Sequence, residues 1–221
     1  YNNHFYLICI LSFLMIFTPL HHAWSLDCYR GAITHKEKLP SLWLWLMRFP
    51  MTMVYVYGAI AKMESDWLSG KSPGHLLGKA NDGTILEPLL KLEWMPVFYG
   101  WSGMLFDLFI PFAVLWKKTR IPAFAAAVLF HLNNFYVFPI GVFPLLSLAL
   151  TMLYFEPSFP KKLIPEKISV YFLKMYKIKN QKKDSSNLEL PQNWQISLII
   201  MFIFFQLIIP FRHHLYPGHT N

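Results

Sequence analysis

Six stretches of the chain run for roughly the width of a bilayer with scarcely a charge in them, and no other feature constrains the fold as much. They cover residues 4–20, 42–61, 95–116, 121–138, 142–155 and 194–210. A helix needs about 20 apolar residues to cross the hydrocarbon layer. The fifth stretch is short enough to be re-entrant. Inside lipid every backbone N–H and C=O must pair within the protein, which leaves helices as the reasonable structure. The expectation is therefore an all-α fold: a polytopic transmembrane helical bundle of about five to six membrane segments. Pro50, Pro111, Pro139 and Pro144 lie in or beside these stretches and are expected to kink or end helices.

The composition is not that of a soluble globule. Hydrophobic residues make up 55% of the 221, aromatics 18% and charged residues 14%, with the charges clustered between the apolar runs. A net charge of +8 in a soluble protein would suggest nucleic acid. Here the Lys and Arg residues sit mostly in loops, so membrane lipid is the expected partner and nucleic acid is not. Cys9 and Cys28 offer neither a disulfide framework nor a zinc spacing, and no metal is expected. The chain opens on Tyr1 without a signal-peptide pattern, and it reads as a piece of a longer protein cut at both ends.

Positive charge orients the segments. Alternation puts loops 21–40, 117–120 and 157–193 on one side, with three, three and eight of the twenty Lys and Arg. That side is taken as cytoplasmic. Five more lie on the opposite side, and Arg48 falls inside the second stretch. The same alternation gathers Asn3, His4, Lys62, Asn133, Asn134, His213 and His214 at the non-cytoplasmic face. Ionisable groups at membrane depth are costly, so several of them together point to a site. The plainer reading is headgroup contact and snorkelling.

Two loops carry signals of their own. Loop 62–94 is long for a bundle and contains SPGH (72–75) and NDG (81–83), both read as turns. A loop of this length suits a lid or a set of short helices. Loop 157–193 contains KISVYFLKMYKIK (167–179), where Ile168, Phe172, Met175 and Ile178 recur at helical spacing among lysines. This is the pattern of a basic amphipathic helix on the cytoplasmic leaflet. The QKKDSSN that follows reads as disordered.

Lys62 is the leading candidate for chemistry. It ends an apolar run, in VYVYGAIAKMESDW. A lysine in a dry setting gives up its proton more readily and becomes a usable general base. Glu64 and Asp66 oppose this if they lie close. A lysine at such a position is otherwise a snorkelling anchor. His4, in YNNHFYL, is by itself an ordinary helix-start residue. His131 sits mid-helix in FHLNNFY, and with Asn133 and Asn134 it forms a polar trio that must find hydrogen-bond partners. Locking helices together would satisfy it. Asp107, in GMLFDLFIP, is a carboxylate among apolar residues and must be neutral or paired; Arg48 is one partner to consider. No phosphate loop, nucleophile elbow or HExxH motif is present.

Six stretches together resemble the vitamin K-dependent gamma-glutamyl carboxylase family, through its membrane (HTTM-type) domain. They are NNHFYL, HAWSLD, GAIAKMESDW, DLFIPF, FHLNNFYVFPIGVFP and FQLIIPFRHHLYPG, in family order and nearly end to end. KMESDW with NNH upstream is the specific part. The resemblance implies that residues 1–221 are a partial HTTM-type transmembrane domain with a basic cytoplasmic loop near 157–193. The family's C-terminal soluble domain, which grips the substrate's propeptide, is absent from this sequence. It implies a multi-pass integral membrane enzyme, a carbon–carbon lyase with vitamin K epoxidase activity, whose active site opens on the non-cytoplasmic face. The expected co-substrates are vitamin K hydroquinone, O2 and CO2, and the expected partner is a glutamate-containing protein. The lysine matching Lys62 deprotonates the hydroquinone. Oxygenation then yields a base strong enough to remove a glutamate gamma proton, carbon dioxide adds, and the vitamin leaves as its epoxide. By the same resemblance His4 assists proton handling with Asn3 beside it, and His131, Asn134 and His213 lie near the quinone and glutamate. The physical logic holds, because so strong a base survives only where water is excluded. Two rival readings stay open at this point: a quinone-using membrane enzyme with a non-protein substrate, and a non-catalytic structural or transport bundle.

Overall fold

A computed structural model of the chain describes residues 3–22, 25–33, 36, 38–138, 140–156, 159, 165 and 191–211. Every regular element among them is helical, as the apolar runs require. The chain divides into two compact units, Tyr1–Pro50 with Pro157–Asn221, and Met51–Glu156.

The first unit holds α1 (Asn3–Phe17), α2 (Leu26–Arg30), the start of α3 (Ser41–Lys62) and α10 (Asn193–Ile208). Leu14, Trp43 and Leu46 form its buried core, with Ile10, Leu39, Met47, Ile199 and Phe202 packed against them. Tyr6, early in α1, exchanges a hydrogen bond with Gln206, late in α10, at 3.2–3.4 Å. With Leu14 beside Ile199 in the same core, the two helices run antiparallel. Arg48 lies over the Trp45 ring, 5.0 Å from its centroid.

The second unit holds the rest of α3, then α4 (Ser65–Leu68), α5 (Lys71–Asn81), α6 (Glu87–Leu90), α7 (Met95–Ala113), α8 (Arg120–Val137) and α9 (Phe143–Thr151). Leu77, Leu90, Met95 and Val137 make a buried cluster that Tyr99 and Phe138 complete. Loop 62–94 is a folded cap of short helices on α7. One expectation there is corrected. SPGH is the first turn of α5 and not a separate turn, because Pro73 lacks a backbone donor only where the helix needs none. The turn itself falls at Gly70, at φ +85°, where an added Cβ would lie 2.8 Å from Val97 N. The NDG turn is present, with Gly83 at φ +76°. Thr119 and Arg120 close α7: the threonine hydroxyl donates to Ala113 O, and the guanidinium donates to Val114 O and Leu115 O. A cation there also suits the negative end of the helix.

Among the described residues, two helices can cross a bilayer by length and composition, Ser41–Lys62 and Asn193–Phe211. A third crossing is added if the helices Phe5–Phe17 and Leu20–Cys28, bent by 64° at a break, count as one span. The five-to-six-segment count thus goes beyond what the helices themselves establish. The fifth apolar stretch is the short one expected, α9 with a 3-10 turn after it. The basic amphipathic pattern at 167–179 and the QKKDSSN stretch lie outside the described residues.

Candidate functional site

One face of α3 builds the site in the second unit. Met51, Tyr55 and Ala59 are buried at a spacing of four residues. Lys62, two turns beyond Tyr55, projects from the same side. Its ammonium is hydrogen-bonded and ion-paired to Asp107 Oδ2 on α7. The aspartate side chain is 10% exposed and the lysine 25%, so the pair is sheltered on the acid side and reachable on the amine side.

Glycines stand beside it on both helices. Gly58 precedes Lys62 by four residues, and a Cβ there would stand 3.0 Å from Asp107 Oδ2 and 3.9 Å from Lys62 Nζ. Gly103 precedes Asp107 by four, and a Cβ there would reach Lys62 Cδ at 4.0 Å. The close approach at Gly58 shows that α3 omits a side chain where the pair sits, whereas the contact at Gly103 is an ordinary one. Trp67 forms a wall, its ring centroid 5.7 Å from Lys62 Nζ. That ring is fixed by its own Nε1–H, which donates to Gly100 O at 3.2 Å. Glu64 and Asp66 are exposed, and Asp66 pairs with Lys71 at 3.0 Å.

A second polar group lies deeper. His131 is 1% exposed and shares a 2.8 Å hydrogen bond with the Tyr55 hydroxyl. Phe106, Phe130 and Phe143 surround the imidazole with ring centroids 5.5–6.3 Å away. Thr151 and Ser147 flank Tyr55. Thr151 donates to Ser147 O, whereas Ser147 Oγ and His131 Nδ1 make no hydrogen bond of normal geometry within the protein. The two polar groups are electrostatically linked: the Lys62 charge is felt at His131, and that of Asp107 at Tyr55.

Of the candidates read from the sequence, Lys62 and His131 come together here. Asp107 joins them, with Lys62 as its partner where the sequence had suggested Arg48. Asn134 is half-buried one turn beyond His131, and its carbonyl accepts the Phe138 N–H that ends α8. Asn133 accepts from the Tyr99 hydroxyl at 3.2 Å. Asn3 and His4 open α1 in the first unit, with side chains outside the description, and His213 lies outside the described residues. Sequence reasoning passed over Tyr55, Gly58 and Gly103. Repeated four-residue spacings, Gly58 to Lys62 and Gly103 to Asp107, were the available signal. Among the described residues no group of three or more His, Cys, Asp or Glu side chains is gathered as a metal ion would need.

The HTTM domain family matches residues 1–159, which carry Lys62, Asp107 and His131. The chain belongs to the HTTM domain family. This agrees with the carboxylase-type membrane domain recognised from NNHFYL, KMESDW and FHLNNFY. No solved structure matches the HTTM chain. Membership and the apolar helices together associate the HTTM protein with a membrane.

Proposed function

We propose that this HTTM domain carries the vitamin K chemistry of a gamma-glutamyl carboxylase, with Lys62 as the base that deprotonates the hydroquinone. The observation that supports this most is the Lys62–Asp107 pair inside the family's matched region. A snorkelling anchor extends toward headgroups, whereas Lys62 turns to a sheltered carboxylate and keeps one side open beside Trp67. The phenolic O–H of the hydroquinone meets the Lys62 side chain there in its unprotonated amine form, the proton passes to nitrogen to give the ammonium, and the aryloxide is left for oxygen. Oxygenation supplies the stronger base that takes the glutamate gamma proton before carbon dioxide adds. In this reading His4 and Asn3 assist the proton transfer, and His131, Asn134 and His213 line the quinone and glutamate region. The glutamate-containing protein and the quinone are the partners. The helices form a multi-pass domain with the site on the non-cytoplasmic face; the antiparallel course of α1 and α10 is what such alternation requires.

The deciding assay follows epoxide formation from vitamin K hydroquinone by the full-length protein, with a glutamate peptide and labelled bicarbonate. Wild type is compared with Lys62→Ala. Epoxide and labelled peptide that both vanish in the variant are the expected result. Epoxide without label moves the chemistry to another substrate, and epoxide formed undiminished by Lys62→Ala removes the lysine from the mechanism.

A further inference from the structure

We propose that Asp107 is a positioning residue for Lys62: it aims the amine and sets its strength as a base. The inference rests on the reading of Lys62 given above. Three observations carry it. Asp107 lies in the middle of an apolar helix, where a carboxylate is retained only with a partner, and the partner it has is Lys62. Gly58 clears the space for that contact, since a Cβ there would stand 3.0 Å from Asp107 Oδ2. Glycine in a helix interior is unfavourable by about 1 kcal/mol relative to alanine, so Gly58 at this place implies a use for the gap. Finally, the other nearby acids face elsewhere: Asp66 pairs with Lys71, and Glu64 is exposed.

The chemistry follows from charge. When Lys62 takes the phenolic proton, the O–H bond breaks, an N–H bond forms, and an ammonium appears beside the new aryloxide. A fixed carboxylate stabilises that ammonium as it develops. Asp107 therefore favours proton transfer to Lys62, and changing it is expected to show in the acid limb of the pH–rate profile. The titratable groups facing the pair are Tyr55 on α3 and His131 on α8, with Trp67 as an uncharged wall; these stay in place when Asp107 is changed.

The test uses full-length protein in nanodiscs, as wild type, Asp107→Asn and Asp107→Glu, with folding checked by thermal unfolding. Trace acetylation across pH, read by mass spectrometry on the peptide bearing Lys62, reports the amine without any quinone. Epoxide formation across pH reports the reaction. For Asp107→Asn the labelling midpoint and the acid limb should both move to lower pH, while the plateau rate falls about 100-fold. Asp107→Glu should restore both positions. A labelling midpoint that stays put in folded Asp107→Asn overturns the proposal, since a purely structural aspartate would lower the rate without moving either curve. A midpoint that moves while even wild type forms no epoxide overturns the quinone reading of Lys62 instead.

Discussion

Tyr55 is the residue whose single atom holds most of the deeper polar group together. Its hydroxyl is the protein partner of His131 Nε2, and His131 Nδ1 has none. Tyr55→Phe removes the hydroxyl and leaves a 1%-exposed imidazole with no partner on either nitrogen. A buried polar group stripped of its hydrogen bond costs about 1–3 kcal/mol. Unfolding of the purified protein should show a loss of that size, and unchanged stability would mean that the bond contributes nothing. The glycines of α7 make a sharper pair. A Cβ at Gly100 would stand 2.5 Å from Trp67 O, a backbone atom that cannot swing aside. Gly100→Ala should therefore destabilise by about 1–3 kcal/mol, as overpacking does. A Cβ at Gly103 meets only Lys62 Cδ, at 4.0 Å, so Gly103→Ala should be tolerated and gain up to about 1 kcal/mol of helix propensity. Melting temperatures of the two variants in one detergent would test the contrast, and equal shifts would contradict it.

At the scale of elements, apolar runs made most helices legible, although Pro50 and Pro111 lie inside α3 and α7 and end neither. The α7 and α8 helices lie where the third and fourth runs place them, and α8 ends before Pro139 as a residue preceding proline favours. What the sequence hid was tertiary. For Asp107 the sequence offered Arg48 as a partner, and only packing shows that Lys62 meets it. SPGH reads as a turn by composition, yet Pro and Gly are also tolerated in a helix's first turn. The cap over α7 carries its own prediction. Glu87 accepts from the Gly83 N–H at 2.6 Å and pairs with Lys91, which also reaches Asp82 at 3.2 Å. The hydrogen bond and charge of Lys91, with the Gly83 N–H, hold the Glu87 carboxyl below its ordinary range. A carboxyl lowered in the folded state stabilises above its unfolded pKa and loses that contribution as pH falls through the folded value. The pair is exposed, so the effect is local and small. Hydrogen exchange at the Gly83 amide should quicken in Glu87→Gln at neutral pH relative to wild type, and the two should converge in acid below the carboxylate range. Equal protection at neutral pH would show that the loop holds without the pair.

For the molecule as a whole, the decisive physical question is which helices lie in lipid. The family could be recognised from the sequence because its specific residues sit in short ordered motifs; the number of crossings could not, since α7 and α8 carry exposed aromatics beside buried polar groups and fail a simple length-and-composition test. The α10 helix offers the clearest case. Ile200 is 63% exposed and Phe204 57%, whereas Ile199 and Phe202 pack on the core of their unit. Apolar side chains so exposed near the middle of a helix long enough to span belong in hydrocarbon, where they need no protein cover. Arginine at the centre of a spanning helix costs about 2.5–3.5 kcal/mol in apparent insertion free energy, and much less near its ends. In a membrane-insertion assay scored by glycosylation of a C-terminal reporter, Ile200→Arg and Phe204→Arg should each reduce insertion by that order. Trp194→Arg, at the start of the helix, should reduce it little. A centre-to-end difference would place α10 across the bilayer with residues 200–204 near its midplane. Equal, small effects at all three positions would place the helix along the surface, where an exposed arginine keeps its water, and the proposed alternation, with Lys62 on the non-cytoplasmic face, would lose its last crossing.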